Sequence, residues 1–181
     1  MKAIAIPCHM AVFALMLSCI AFPAKAAGPA ISIEGGWSFM GQDFTADKGA
    51  AAAFAEAVFD DYSIGNTAFT WAPDITAGWM SGRGDPPGGR YNYSTRDDIW
   101  LIAGGLRFHY GAAWAWYRPL FFSVQPTLHT GRTPGLSGSY EFTLTLGWQA
   151  AHWMMGVRHI SNAGLHLPNL GETMLVGGVT F

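Results

Sequence analysis

Charge is scarce in this chain. Only 12% of its 181 residues are charged, while 50% are hydrophobic and 14% aromatic. A disordered chain needs the opposite balance, so disorder is excluded as the overall state. The 10 basic residues face 12 acids, which excludes a nucleic-acid binder built on a basic surface. Cysteine is almost missing: Cys8 and Cys19 are the whole supply. Beyond residue 26 no stretch of about 20 apolar residues occurs, so no helix there is suited to cross a membrane. That absence does not touch strands, which cross with about 9–11 residues of alternating character.

The N-terminus reads as an export signal. Lys2 gives a thin basic start, residues 3–22 are mostly apolar, and Ala24-Lys25-Ala26 is an A-x-A cleavage site. The expected domains are therefore a signal peptide over 1–26 and one barrel domain over 27–181. A looser alternative is a lipoprotein signal around Leu17-Ser18-Cys19. Cleavage after Ala26 removes both cysteines, which excludes thiol catalysis, cysteine metal sites and disulfides from the mature chain. Losing Lys2 and Lys25 leaves 8 basic residues against 12 acids, a net charge of −4. That is too mild to name a partner.

Alternation dominates what remains. In Glu141 to Gln149, Phe142, Leu144, Leu146 and Trp148 share one face, and Glu141, Thr143, Thr145, Gly147 and Gln149 share the other. Period two predicts a strand with one apolar and one polar side. Eight strands are expected, near 30–40, 51–60, 67–80, 94–110, 115–130, 138–149, 152–162 and 172–181. The second is the weakest, because alanines at 50–59 also favour a helix. Short connections at 61–66, 111–114 and 150–151 alternate with longer ones at 41–48, 81–93, 131–137 and 163–171. This is the rhythm of an up-and-down barrel with long loops on one side. The fold class expected is all-β, an eight-stranded antiparallel transmembrane β-barrel of the outer-membrane type.

The C-terminus agrees. Thr173, Leu175, Gly177, Val179 and Phe181 form one face of the last strand, and a terminal aromatic after alternating apolar residues resembles the recognition signal of outer-membrane barrels. The barrel-assembly machinery is then an expected partner. Trp71, Trp79, Trp100, Trp114, Trp116, Trp148 and Trp153 are expected in aromatic girdles at the membrane interfaces.

The chemistry-bearing residues lie in the seventh strand. Trp153, Met155, Val157, His159 and Ser161 share the apolar, lipid-facing side, and Arg158 points into the barrel, where a charge is tolerated. With both termini in the periplasm, this strand ends at the cell surface. A His and a Ser two residues apart there form a candidate base and nucleophile at headgroup depth. The bland alternative is a pair of polar caps where the strand leaves the membrane.

The run Arg158-His159-Ile160-Ser161-Asn162-Ala163-Gly164, followed by Pro168-Asn169-Leu170-Gly171, resembles the active-site region of the lipid A 3-O-deacylase family (PagL). The likeness extends from Arg158 to the C-terminus; elsewhere only the architecture corresponds. It implies an outer-membrane serine esterase that hydrolyses the 3-O-linked acyl chain of lipid A in lipopolysaccharide. Ser161 would be the nucleophile and His159 the base, with no metal or other cofactor. Asn162 would support an oxyanion and Gly164 a close backbone turn. The family acid is a Glu fourteen residues after the His, and that position here is Thr173. Glu172 is the carboxylate beside it and is assigned as the acid. In a regular strand it points inward, so the assignment requires a bulge or the loop end to turn it outward.

Other signals are weaker. Arg83-Gly84-Asp85 is a short adhesion-like triplet that arises readily by chance. Arg83, Arg90 and Arg132 in the outer loops could meet lipid A phosphates or simply be solvated. Asp97 or Asp98 is expected to face the lumen against Arg96 or Arg158, and His166 to be a solvated loop residue. Alternatives to the deacylase are a non-catalytic structural or adhesive barrel, and an esterase or acyltransferase acting on another outer-leaflet lipid.

Overall fold

A computed structural model describes residues 28–41, 49–84 and 93–181. The expected signal peptide, Asp85 and Arg90 lie outside these residues. The elements are β1 (Ala30–Met40), β2 (Ala50–Val58), β3 (Tyr62–Ser63), β4 (Phe69–Met80), β5 (Ile99–Tyr110), β6 (Leu120–His129), β7 (Tyr140–Gln149), β8 (Trp153–Ser161) and β9 (Glu172–Thr180). Each barrel strand pairs antiparallel with the next, β1 pairs with β9, and β2 pairs with β4 across the two-residue β3. The result is a closed eight-stranded antiparallel barrel, with β3 a side-pairing on the start of β4. Closure leaves none of the eight barrel strands as an edge.

The faces are sorted as the alternation requires. Inward positions carry Ser32, Glu34, Glu56, Asp74, Thr76, Arg107, Gln125, Thr143, Thr145 and Arg158, all buried. Outward positions carry Ile31, Ile33, Ile75, Ile102, Leu106, Leu128, Leu146, Val157 and Leu175, all exposed. A polar interior inside an apolar belt is the distribution of a barrel that spans a membrane. Aromatic clusters ring the end at which β1 starts and β9 finishes. Tyr62 stacks on Trp71 at 4.9 Å, Phe69 meets Tyr110 at 4.8 Å, and Trp116 contacts both Tyr117 and Trp148. At the other end Trp79 pairs across strands with Trp100.

The second strand is a strand, not a helix. Ala50, Ala52, Phe54 and Glu56 point inward, and β2 is bonded on both sides. Barrel closure outweighs the helical preference of alanine. The fifth expected strand starts later than 115. Residues 112–119 form successive turns, with Ala115 N–H bonded to the Ala112 carbonyl and Arg118 N–H to that of Ala115. Trp114 and Trp116 therefore project from a turn at the terminal end.

The lumen is filled. Arg107 Nη2 lies 2.6 Å from Glu56 Oε2, and its Nε 3.4 Å from Asp74. Arg158 reaches Glu34 at 3.1 Å and Glu56 at 3.5 Å, and donates to Thr145. The two guanidinium groups also cover the rings of Phe121 and Phe54. Asp98 takes no part in this: from the loop before β5 it accepts from the Gly82 N–H and the Trp79 indole, and Asp97 is exposed too, so neither makes the expected lumen pairing.

Candidate functional site

His159 and Ser161 lie on the outward side of β8 near its loop end, alternating with the buried Arg158, Ile160 and Asn162. The register beside them is regular. His159 stands opposite Thr173 and Leu144, and Ser161 opposite Phe142. His159 Nδ1 is 2.9 Å from Thr173 Oγ1. Nε2 is thus the ring atom left for a substrate or for Ser161, whose hydroxyl starts one strand repeat further out.

Glu172 is not where an orienting acid must be. Strands β8 and β9 pair without a bulge, with Ile160 opposite Glu172. The carboxylate turns inward and is fully buried. Arg83 Nη1 and Nη2 donate to its two oxygens at 3.0 and 2.7 Å, and Ser38 Oγ donates to Oε2 at 2.6 Å. The expected His159–Glu172 pairing is therefore replaced by His159–Thr173. The cause is the period of the strand, which sends neighbours to opposite faces. Arg83, expected either to meet lipid A phosphates or to be solvated, is instead the counter-ion that holds Glu172 inside.

Asn162 also departs from its expected role. Its Nδ2 donates to Ser137 Oγ at 3.1 Å and to the His166 carbonyl at 2.9 Å. Its Oδ1 accepts from the N–H groups of Gly164 and His166, and its own N–H donates to Asn169 Oδ1. All the amide's donors are spent on the loop, so Asn162 ties the loop rather than facing a reacting carbonyl beside Ser161. Gly164 has φ +83°, following Ala163 at φ +55°. The chain thereby reverses direct from the strand end.

Gly171 is a further site residue, whose reason the sequence did not disclose. Its φ is +69°, and a Cβ there would sit 2.7 Å from His159 Cε1. The histidine ring occupies the space a side chain would need. Gly171 N–H also donates to the Gly135 carbonyl, and its carbonyl accepts from Gly41 N–H. Three loops thus meet above the ring. The signal in the sequence was the closing glycine of the Pro168–Gly171 run.

No protein-family model matches the chain, and no curated protein matches it. Among solved structures it is similar to the outer membrane protein Ail of Yersinia pestis in a phospholipid bilayer nanodisc. The identity is 11%, over 85% of this chain and 99% of that one, with a TM-score of 0.40. So loose a likeness carries no functional argument, and the barrel rests on its own strand pairing.

Proposed function

We propose that this barrel resides in the outer membrane and is a serine esterase that removes the 3-O-linked acyl chain of lipid A. The observation that carries this reading is the outward pair on β8: His159, fixed by Thr173 beneath Gly171, with Ser161 two residues on. A polar base and a hydroxyl facing acyl chains at the loop end suit an ester located just below lipid headgroups. With both termini in the periplasm, that end faces the cell surface.

In the reaction His159 Nδ1–H donates to Thr173 Oγ1, and Nε2 takes the Ser161 proton. Ser161 Oγ attacks the ester carbonyl, and the tetrahedral intermediate collapses as His159 returns the proton to the leaving sugar oxygen. Water then cleaves the acyl-serine by the same relay and releases the fatty acid. Thr173 orients the ring but carries no charge. It stabilises the imidazolium less than a carboxylate does, so turnover is expected to be slow.

One observation favours a second reading. With Glu172 held in the lumen by Arg83, the chain fits a structural or adhesive barrel that has kept the motif without its acid. Mass spectrometry of lipid A from cells expressing the wild type, Ser161→Ala and His159→Ala decides between them. Loss of one hydroxyacyl chain in the wild type alone, with free fatty acid released, supports the deacylase. An unchanged lipid A with folded barrel supports the second reading, and acyl transfer without free fatty acid points to a transferase.

A further inference from the structure

A small cleft lies just beyond Ser161. It has a volume of about 160 Å³ and is lined by Arg132, Ser139, Tyr140, Asn162, Leu165 and His166. One wall is the connection 130–139 and the other is 162–171. Tyr140 is two residues outward from Phe142, the residue opposite Ser161, a step of about 7 Å along the strand. The cleft is therefore at headgroup height above the pair on β8, on the same side of the barrel.

Its walls are tied together. Asn162 joins them through Ser137 and the His166 carbonyl, and His166 Nδ1 lies 3.3 Å from Ser137 Oγ. This leaves the Nε2 edge of His166 for a ligand. Arg132 donates to Ser139 Oγ at 2.7 Å and, among the described residues, has no carboxylate partner. Arg83, Arg107, Arg118 and Arg158 all meet an acid, whereas among the described residues neither Arg132 nor the exposed Arg96 does. Among the described residues no carboxylate lines the cleft. A guanidinium, an imidazole and two hydroxyls around a small volume suit a tetrahedral oxyanion, for which the arginine fork is well shaped.

We propose that this cleft binds a phosphate on the headgroup of the glycolipid whose ester lies at Ser161, with Arg132 and His166 as its recognition residues. The proposal rests on the deacylase reading for its choice of lipid. It adds a specificity site that sets which ester comes to Ser161, because a phosphate anchored here fixes the depth and orientation of the acyl chains below.

The test measures equilibrium binding, so it does not depend on turnover. Folded barrel carrying Ser161→Ala, in detergent, is titrated with a bis-phosphorylated diglucosamine lipid and with the same lipid after phosphatase treatment. Arg132→Gln is compared in the same background, since glutamine can still donate to Ser139. The expected result is a loss of about tenfold or more in affinity for the phosphorylated lipid in Arg132→Gln, and no change for the dephosphorylated one. His166→Ala should follow in the same direction. Equal binding of the two lipids by the Ser161→Ala parent, or an Arg132→Gln protein that still prefers the phosphorylated lipid to the same degree, overturns the proposal. So does inorganic phosphate that binds alone and displaces the lipid at equal concentration, because the site would then recognise free phosphate. Phosphate-dependent binding without any fatty acid release from the wild type would leave the cleft standing and remove the deacylase. Release that is indifferent to phosphate would do the reverse.

Discussion

At the scale of single residues, the choice between Thr173 and Glu172 governs how the proposed site works. The two are neighbours, yet the strand sends one to His159 and the other to Arg83. Thr173→Val removes the hydrogen bond and frees the imidazole to rotate. Fatty acid release is expected to drop by about tenfold or more, with KM changing less than kcat, as measured on purified barrel with lipid A. Thr173→Glu puts a carboxylate at the outward position and should raise kcat above the wild type. A fall in both variants alike would show that Thr173 serves packing rather than orientation. Glu172→Gln probes the other neighbour. It leaves Arg83 buried opposite a neutral amide, so stability should fall, by up to about 3–5 kcal/mol, while kcat per folded molecule holds. Thermal unfolding and activity measured on one preparation separate the two effects. The sequence showed the apolar and polar faces of this strand plainly. What it did not show was the partner of the inward carboxylate, because Arg83 comes from a loop 89 positions away.

At the scale of elements, strands were legible where apolar and polar residues alternate and obscure where small residues do not discriminate. β7 was readable from Phe142, Thr143, Leu144 and Thr145 alone. β2 was expected as a strand but less plainly, since alanines occupy both its faces and only Phe54 and Glu56 report which is inward. Loops were harder still, because their order comes from side chains reaching back to the backbone. Asn162 and Asp98 are two such pins. The Asp98 carboxyl lies below its ordinary range, mainly through the Gly82 N–H and then the Trp79 indole. A group depressed in the folded state contributes stability above its unfolded pKa, near 4, and loses it as pH falls through the folded value. The connection into β5 should therefore loosen only below about pH 4. Trp79 fluorescence should report that step in the wild type, and the step should be missing in Asp98→Asn. A transition near neutrality would assign the pH response to other groups.

At the scale of the whole molecule, the lumen decides whether the barrel is a channel or a scaffold. Arg107 and Arg158 with Glu34, Glu56 and Asp74 fill its middle, and Phe54, Phe121 and Met154 occupy the rest of the cross-section. An eight-stranded barrel has room for side chains and little else. Five ionisable groups in that space are costly to bury and costly to leave unpaired, so removing one should be felt throughout the barrel. Arg158 is the sharpest case, because it sits beside His159 in sequence and points the opposite way. Arg158→Leu removes the guanidinium, strands Glu34 and weakens the hold on Glu56. The expected loss is about 3–5 kcal/mol in urea unfolding from lipid vesicles. Fatty acid release per folded molecule should stay within about twofold of the wild type, since the pair on the lipid side keeps its own support from Thr173 and Gly171. A stable Arg158→Leu barrel with lost activity would mean that the lumen transmits to the outer face, and that the two sides of β8 are not independent.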